Sequence, residues 1–276
     1  MKRNGSRFNP FLLPARRALL LLAVGLIVVV AGFGDNKKRK ALPPPPADLP
    51  GHVNYLVEQL HGVMLEDAGA ITDEIQKLVL GHLQEWMAHQ TPSAVDVRRE
   101  LETVFSGLHY PSSGEPATFA QTWNGQVVIG AGYTLGWTDY DRANVLAIFS
   151  SRLGQSHLVT VTNFVPRTDM HYTVLDEPNS DVLRFFAYGY RLGASQPRLS
   201  VVFYSFDGKD LKSLWESRDI YDGKITIGKD AVVIRYLRED EYIREQAHGR
   251  NPSRYRTLYA ITPAGLEVRS DETIPF

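Results

Sequence analysis

Three kinds of apolar spacing succeed one another along the chain. Residues 18–34 read ALLLLAVGLIVVVAGFG, seventeen positions without a charge, and apolarity all round leaves no polar face for a surface helix. From residue 53 the apolar positions take up helical spacing: Val53, Leu56, Val57, Leu60 and Met64, then Ile75, Leu78, Val79, Leu83, Trp86 and Met87. This predicts two amphipathic helices with Ala68-Gly69-Ala70 as the turn between them, or one long helix that tolerates Gly62 and Gly69. A third helix is predicted to start at Ser93, which with Asp96 resembles a capping box. It would bury Val97, Leu101, Val104 and Phe105 and stop near Gly107.

Near residue 117 the period becomes that of strands. Turn signals at Asn124-Gly125, Leu153-Gly154, Asp207-Gly208, Asp222-Gly223, Gly228-Lys229-Asp230 and Pro263-Ala264-Gly265 bound about ten to twelve short strands. Between them lie β-branched and aromatic stretches such as VLRFFAYGY at 182–190 and AVVIRYL at 231–237. A faint repeat runs through this region. DVLRFFAY at 181 echoes DAVVIRYL at 230, Tyr204 and Leu211 match Tyr259 and Leu266, and IFSSRLGQSHLVTV at 148–161 supplies a similar hairpin upstream. A period of about 50 residues with two hairpins per unit suits propeller blades, but two and a half units are too few to close a ring. The predicted class is therefore α+β: two to three N-terminal helices packed with a larger antiparallel all-β region, incomplete-propeller-like or a sandwich or barrel. The expected organisation is a basic tail (1–17), a transmembrane anchor or uncleaved signal (18–34), a basic and Pro-rich linker (35–50), a helical subdomain (51–110) and a β-rich domain (117–276).

As a helix the apolar run spans about 25 Å, slightly short of a hydrocarbon core of about 30 Å. Arg16 and Arg17 before it and Lys37, Lys38, Arg39 and Lys40 after it are placed to snorkel to headgroups. A cleaved signal is the rival reading, with Gly32 and Gly34 as small residues before a cut at Asp35. Arg16-Arg17-Ala18-Leu19-Leu20 also resembles a twin-arginine signal, without the usual preceding Ser or Thr. Basic residues downstream oppose cleavage. Five bases precede the run and four follow it, which tips the N-terminus to the cytoplasm and the body outside. Pro43 to Pro46 then form a stiff spacer.

Charge sharpens the division. The formal net charge is -1, but residues 1–40 hold nine of the 30 Lys and Arg and one acid. The remainder carries 21 bases against 30 acids, a net of -9. An acidic body lacks the footprint that neutralises phosphates, so no nucleic-acid partner is expected. Cysteine is absent, which removes disulfides, Cys-ligated zinc and thiol nucleophiles.

Candidate chemistry is sparse. His82, Glu85 and His89 fall at i, i+3 and i+7 of a predicted helix and form a candidate metal set, against which stand the lack of an HExxH spacing and the ordinary occurrence of His and Glu on solvated faces. Asp169 and His171 alternate onto one side of a strand and form a candidate acid/base pair. Glu239, Asp240, Glu241, Glu245 and His248 lie on a predicted loop that ends in a turn at Asn251-Pro252. Phe186, Tyr188 and Tyr190, again on one strand face, and Trp215 are candidate ligand-binding aromatics, although such stripes more often form core. No G-x-S-x-G elbow, S-x-x-K, P-loop, G-x-G-x-x-G or EF-hand loop occurs. No cofactor is expected.

The expected function is accordingly that of a membrane-anchored extracytoplasmic protein. Residues 18–34 engage the bilayer, and the body binds or assembles with a partner protein or an envelope polymer without catalysis. A cell-envelope hydrolase using a His/carboxylate site is the alternative. A deep pocket enclosing two or more of His82, His89, His157, His171 and His248 with carboxylates would favour the alternative.

Overall fold

The computed structural model describes residues 44–60, 63, 65–106, 108, 116–135, 144–163, 168–177, 180–191 and 195–274. The basic tail, the apolar run at 18–34 and the linker through Pro43 lie outside the described residues. Among the described residues no helix is long and apolar enough to cross a membrane.

The body, residues 44–276, is one compact unit. Three helices lead: α1 (Leu49–Leu60), α2 (Leu65–Met87) and α3 (Ala94–Val104). Twelve strands follow in three groups of four, each group an antiparallel meander whose spatial order is its chain order. Sheet A comprises β1 (Ala117–Trp123), β2 (Gln126–Thr134), β3 (Asn144–Arg152) and β4 (Gln155–Asn163). Sheet B comprises β5 (Thr168–Val174), β6 (Leu183–Arg191), β7 (Arg198–Phe206) and β8 (Leu211–Tyr221). Sheet C comprises β9 (Lys224–Ile227), β10 (Ala231–Leu237), β11 (Arg254–Thr262) and β12 (Gly265–Ile274), with α4 (Glu239–Ala247) between β10 and β11.

Three apolar clusters define how these elements stack. The first joins the inner faces of α1, α2 and α3 to one side of sheet A, through Ile129, Ala131, Tyr133, Val145, Ala147 and Phe149. The second joins the other side of sheet A, including Phe119, Val128, Leu146 and Ile148, to Phe185, Ala187, Val202 and Tyr204 of sheet B. The third joins the far side of sheet B, through Phe186, Leu199, Val201 and Phe203, to Val232 and Ile234 of sheet C. The result is an α+β body with a large antiparallel region, four layers deep, in which blade-like sheets stack without closing. Burial on both faces explains why β2, β3 and β7 read as continuous apolar runs rather than alternating ones.

Local chemistry explains most boundaries. Ser93 caps α3: its hydroxyl accepts from the Asp96 amide, and the Asp96 carboxylate accepts from the Ser93 amide. Asn124-Gly125 and Leu153-Gly154 have positive φ at both positions, which makes two-residue hairpins whose twist matches the flanking strands. Gly130 and Gly132 are in β2 for a different reason. A Cβ at Gly130 would lie 2.0 Å from the Phe119 ring, and one at Gly132 would lie 2.0 Å from the Tyr172 hydroxyl.

Three expectations change. Ala68-Gly69-Ala70 is not a turn, because α2 runs unbroken through it from Leu65; Thr72 donates back to the Ala68 and Gly69 carbonyls there. Asp222-Gly223 is not a hairpin but the crossover from sheet B to sheet C, with the Asp222 amide bonded to the Pro197 carbonyl. The acidic run after Arg238 is not a loop but α4, with Glu239, Asp240 and Glu241 in its first turn, where the helix dipole favours them.

Candidate ligand-binding cleft

The edge strands of sheets A and B, β1 and β5, come together beneath α3. Phe119 of β1 sits edge-on to Tyr172 of β5, ring centroids 5.4 Å apart, and Phe185 of β6 closes on Phe119 at 4.9 Å. Above this aromatic seam opens a cleft of about 420 Å³, walled by Arg98 of α3, Thr118 of β1, Asp169 and His171 of β5 and Tyr188 of β6. Its volume is in the range of small-molecule sites.

The β5 wall owes its shape to a bulge. The β5–β6 register slips between Thr168 and His171, and Asp169 takes φ +49°, a left-handed conformation that Asp tolerates better than most residues. The Asp169 carboxylate thereby reaches His171, with Oδ1 3.1 Å from Nε2. Tyr188 is the cross-strand partner of His171, and their rings lie 5.3 Å apart at 30°. Asp169 and His171 keep 67% and 46% of their side-chain surface in solvent, so the pair faces the cleft rather than the core.

Two hydroxyls of the cleft wall are already engaged. Thr118 Oγ1 donates to the Ala94 carbonyl at 2.7 Å, tying β1 to the first turn of α3. The Tyr172 hydroxyl is buried against Met170 Sδ at 3.6 Å, and burial, reinforced by Tyr204, raises its pKa well above the ordinary phenol value. Tyr204, on β7 within the same interface between sheets, is pushed up to about 12, chiefly by burial. Neither Thr118 nor Tyr172 is set up to serve as a nucleophile for His171. Across the cleft Arg98 Nε donates to Glu102 Oε1 at 3.0 Å, one helical turn on, which orients the guanidinium.

The other candidate residues separate in space. His82 Nε2 lies 2.6 Å from Glu100 Oε1 of α3, while Glu85 is exposed and α2 ends at Met87, so His89 is not carried on the same helical face. Among the described residues no group of three or more His, Asp or Glu side chains is placed to hold a metal ion. Phe186 is fully buried and stacks on Phe203 at 4.3 Å between sheets B and C. Tyr190 is half-buried beside it, its hydroxyl shifted upward by burial and by the nearby Tyr188 and Asp169. Trp215 packs against Tyr259 of sheet C at 5.4 Å. Of the four aromatics only Tyr188 lines the cleft, and among the described histidines only His171 does. The acids of α4 are held by their own neighbours: Glu239 by Arg198, Glu241 by Tyr255 and Ser253, Glu245 by Arg244 and Arg250.

The sequence already set Asp169 beside His171 on one strand face, but not Tyr188 opposite them, and it did not single out Arg98 or Thr118. Arg98 is one of several charged residues on the outer side of α3, and nothing in its spacing marks it. The Thr118 role depends on the docking of α3 against β1.

No protein-family model matches the chain, and no curated protein matches it. Among solved structures, a protein of Bacteroides ovatus described as a "putative hydrolase" is similar over 67% of this chain at 9% identity, with a TM-score of 0.24. The chain spans about half the length of that protein, with coverage of 50%. A TM-score of this size supports no argument about fold or activity.

Proposed function

We propose that the chain is a membrane-anchored extracytoplasmic binding module, tethered through residues 18–34, whose body recognises a partner protein or an envelope polymer at the cleft between β1 and β5. The observation that carries the reading is the cleft's chemistry. It presents an exposed carboxylate and imidazole, an aromatic ring and a guanidinium, while the hydroxyls of Thr118 and Tyr172 are engaged elsewhere. Such a set is suited to recognition. The hydrolase alternative needs a nucleophile activated by His171, and the hydroxyls of Thr118 and Tyr172 are directed instead at the Ala94 carbonyl and at Met170 Sδ.

The test is site-specific photo-crosslinking in native membranes, with a photoreactive residue in place of Tyr188 and, separately, of Ile243, which is exposed on α4. A discrete crosslinked species from the Tyr188 position alone is the expected result. Equal labelling from both positions, or a reporter fused at Phe276 that is active only in the cytoplasm, would remove the proposal.

A further inference from the structure

Resting on that binding reading, we propose that the cleft takes an acidic saccharide, a pyranose ring carrying a carboxylate. Four features converge on this class. The His171–Tyr188 pair gives one wall two rings 5.3 Å apart and tilted by 30°, and the C–H face of a pyranose is complementary to such aromatic surface. Asp169 Oδ1 is shared with His171, which leaves Oδ2 to accept from ligand hydroxyls, and Nδ1 of His171 adds a position that donates or accepts. Arg98, whose Nε is bonded to Glu102, also lines the cleft with its guanidinium, the side chain that best matches a carboxylate. The volume of about 420 Å³ is of small-molecule rather than protein-interface scale.

The bulge separates a saccharide from an extended peptide. A peptide adding to the edge of β5 needs an unbroken row of backbone donors and acceptors. The slip between Thr168 and His171, with Asp169 at φ +49°, interrupts that row at the cleft. The same bulge turns the Asp169 side chain toward His171 and fixes it before any ligand arrives. A metal ion is a poor fit because a single imidazole and a single carboxylate are at hand, and a nucleic acid is a poor fit for one guanidinium on an acidic body.

The experiment is calorimetric titration of the full chain in detergent with two matched disaccharides. One is cellobiouronic acid; the other is cellobiose, which carries a hydroxymethyl group in place of the carboxylate. Cellobiouronic acid is expected to bind at least about tenfold more tightly, and Arg98→Gln to erase that difference while leaving cellobiose binding in place. Tyr188→Leu is expected to weaken both about tenfold or more, and Arg235→Gln, an exposed charge on sheet C, to change neither. Thermal melting of each variant separates loss of binding from loss of fold. Equal affinity for the two sugars, or no heat from either up to about 10 mM, overturns the inference. If neither sugar binds but the crosslinker at Tyr188 captures a defined envelope protein, the saccharide is wrong and the binding module stands. If the crosslinker also captures nothing, both are wrong.

Discussion

Gly132 is the position where the cleft and the core can be tested together. Replacing it with alanine sets a methyl carbon 2.0 Å from the Tyr172 hydroxyl oxygen, 2.8 Å from Met170 Cε and 3.0 Å from Tyr172 Cζ, all on the neighbouring sheet. Met170 Cε is the end of a flexible side chain and moves cheaply. Tyr172 is pinned between Phe119 and Phe185 and does not. Forcing one methyl into such a seam costs about 1–3 kcal/mol. The loss of glycine's freedom in the unfolded chain returns about 0.5–1 kcal/mol. The expected net destabilisation is about 0–2.5 kcal/mol, a fall in Tm of up to about 10 °C for a body of this size. Tyr172→Phe alone should cost less than about 1 kcal/mol, since a thioether is a weak acceptor for the hydroxyl it removes. In the double variant the closest atom of the ring is at 3.0 Å instead of 2.0 Å. Gly132→Ala should therefore cost at least about 1 kcal/mol less when Tyr172→Phe is already in place than when Tyr172 is intact. The assay is urea unfolding of all four proteins followed by circular dichroism, with unchanged slopes required so that midpoints report stability. Additivity within about 0.3 kcal/mol would refute the claim that the Tyr172 hydroxyl is what requires glycine at 132.

Other outcomes follow from the same geometry. Phe186→Ala should lower stability by about 3–5 kcal/mol in the same unfolding assay, because the ring is fully buried against Phe203; a near-neutral result would return Phe186 to the ligand-binding candidates. Arg184→Met should cost about 2 kcal/mol by chemical unfolding, because Arg184 pairs with Glu177 and also donates to the Thr262 carbonyl at 2.6 Å, a charged link between sheets B and C. The Glu245 carboxyl should titrate at about 2 by NMR rather than at 4.5, held down first by Arg250 and then by Arg244. Since its folded pKa is the lower one, the stability it contributes is present above 4.5 and is lost as pH falls toward about 2. Arg250→Ala should move the midpoint back up, and an unmoved midpoint would show that Arg250 is not the cause.

The elements that local chemistry determines were legible in the sequence, and those that stacking determines were not. The capping box at Ser93, the hairpins at Asn124-Gly125 and Leu153-Gly154 and the change of period near residue 117 each depend on neighbours a few residues away, and each is present. Ala68-Gly69-Ala70 misled because helix packing outweighs one glycine's propensity, which costs only about 1 kcal/mol. The faint repeat pointed correctly to units of four strands: DVLRFFAY and DAVVIRYL fall on β6 and β10, the second strands of sheets B and C. The corresponding strand of sheet A, β2, is hidden by Gly130 and Gly132, which break the sequence echo in order to admit Phe119 and Tyr172. The cleft was the least legible feature, because its walls come from residues 98, 118, 169, 171 and 188, and only the stacking of sheets under α3 brings them together.

That stacking also determines where recognition can occur. A sheet sandwiched between two layers has no face left for a ligand, so sheets A and B can offer only their edges and hairpins. At the β4 edge of sheet A the adjoining surface is partly covered by α2, which packs against Leu158 and Val161. The β8 edge carries two register slips and mixed exposure, which blunt it as a template for pairing. At the β1 and β5 edges the bulge at Asp169 does more than protect an edge: it projects a carboxylate and an imidazole into a cleft that faces a guanidinium. Sheet C is different, because its last strand is exposed from Glu267 to Thr273 and carries alternating charges rather than an apolar stripe. Among the described residues, backbone irregularity, an aromatic seam and opposite charges coincide where the β1 and β5 edges meet.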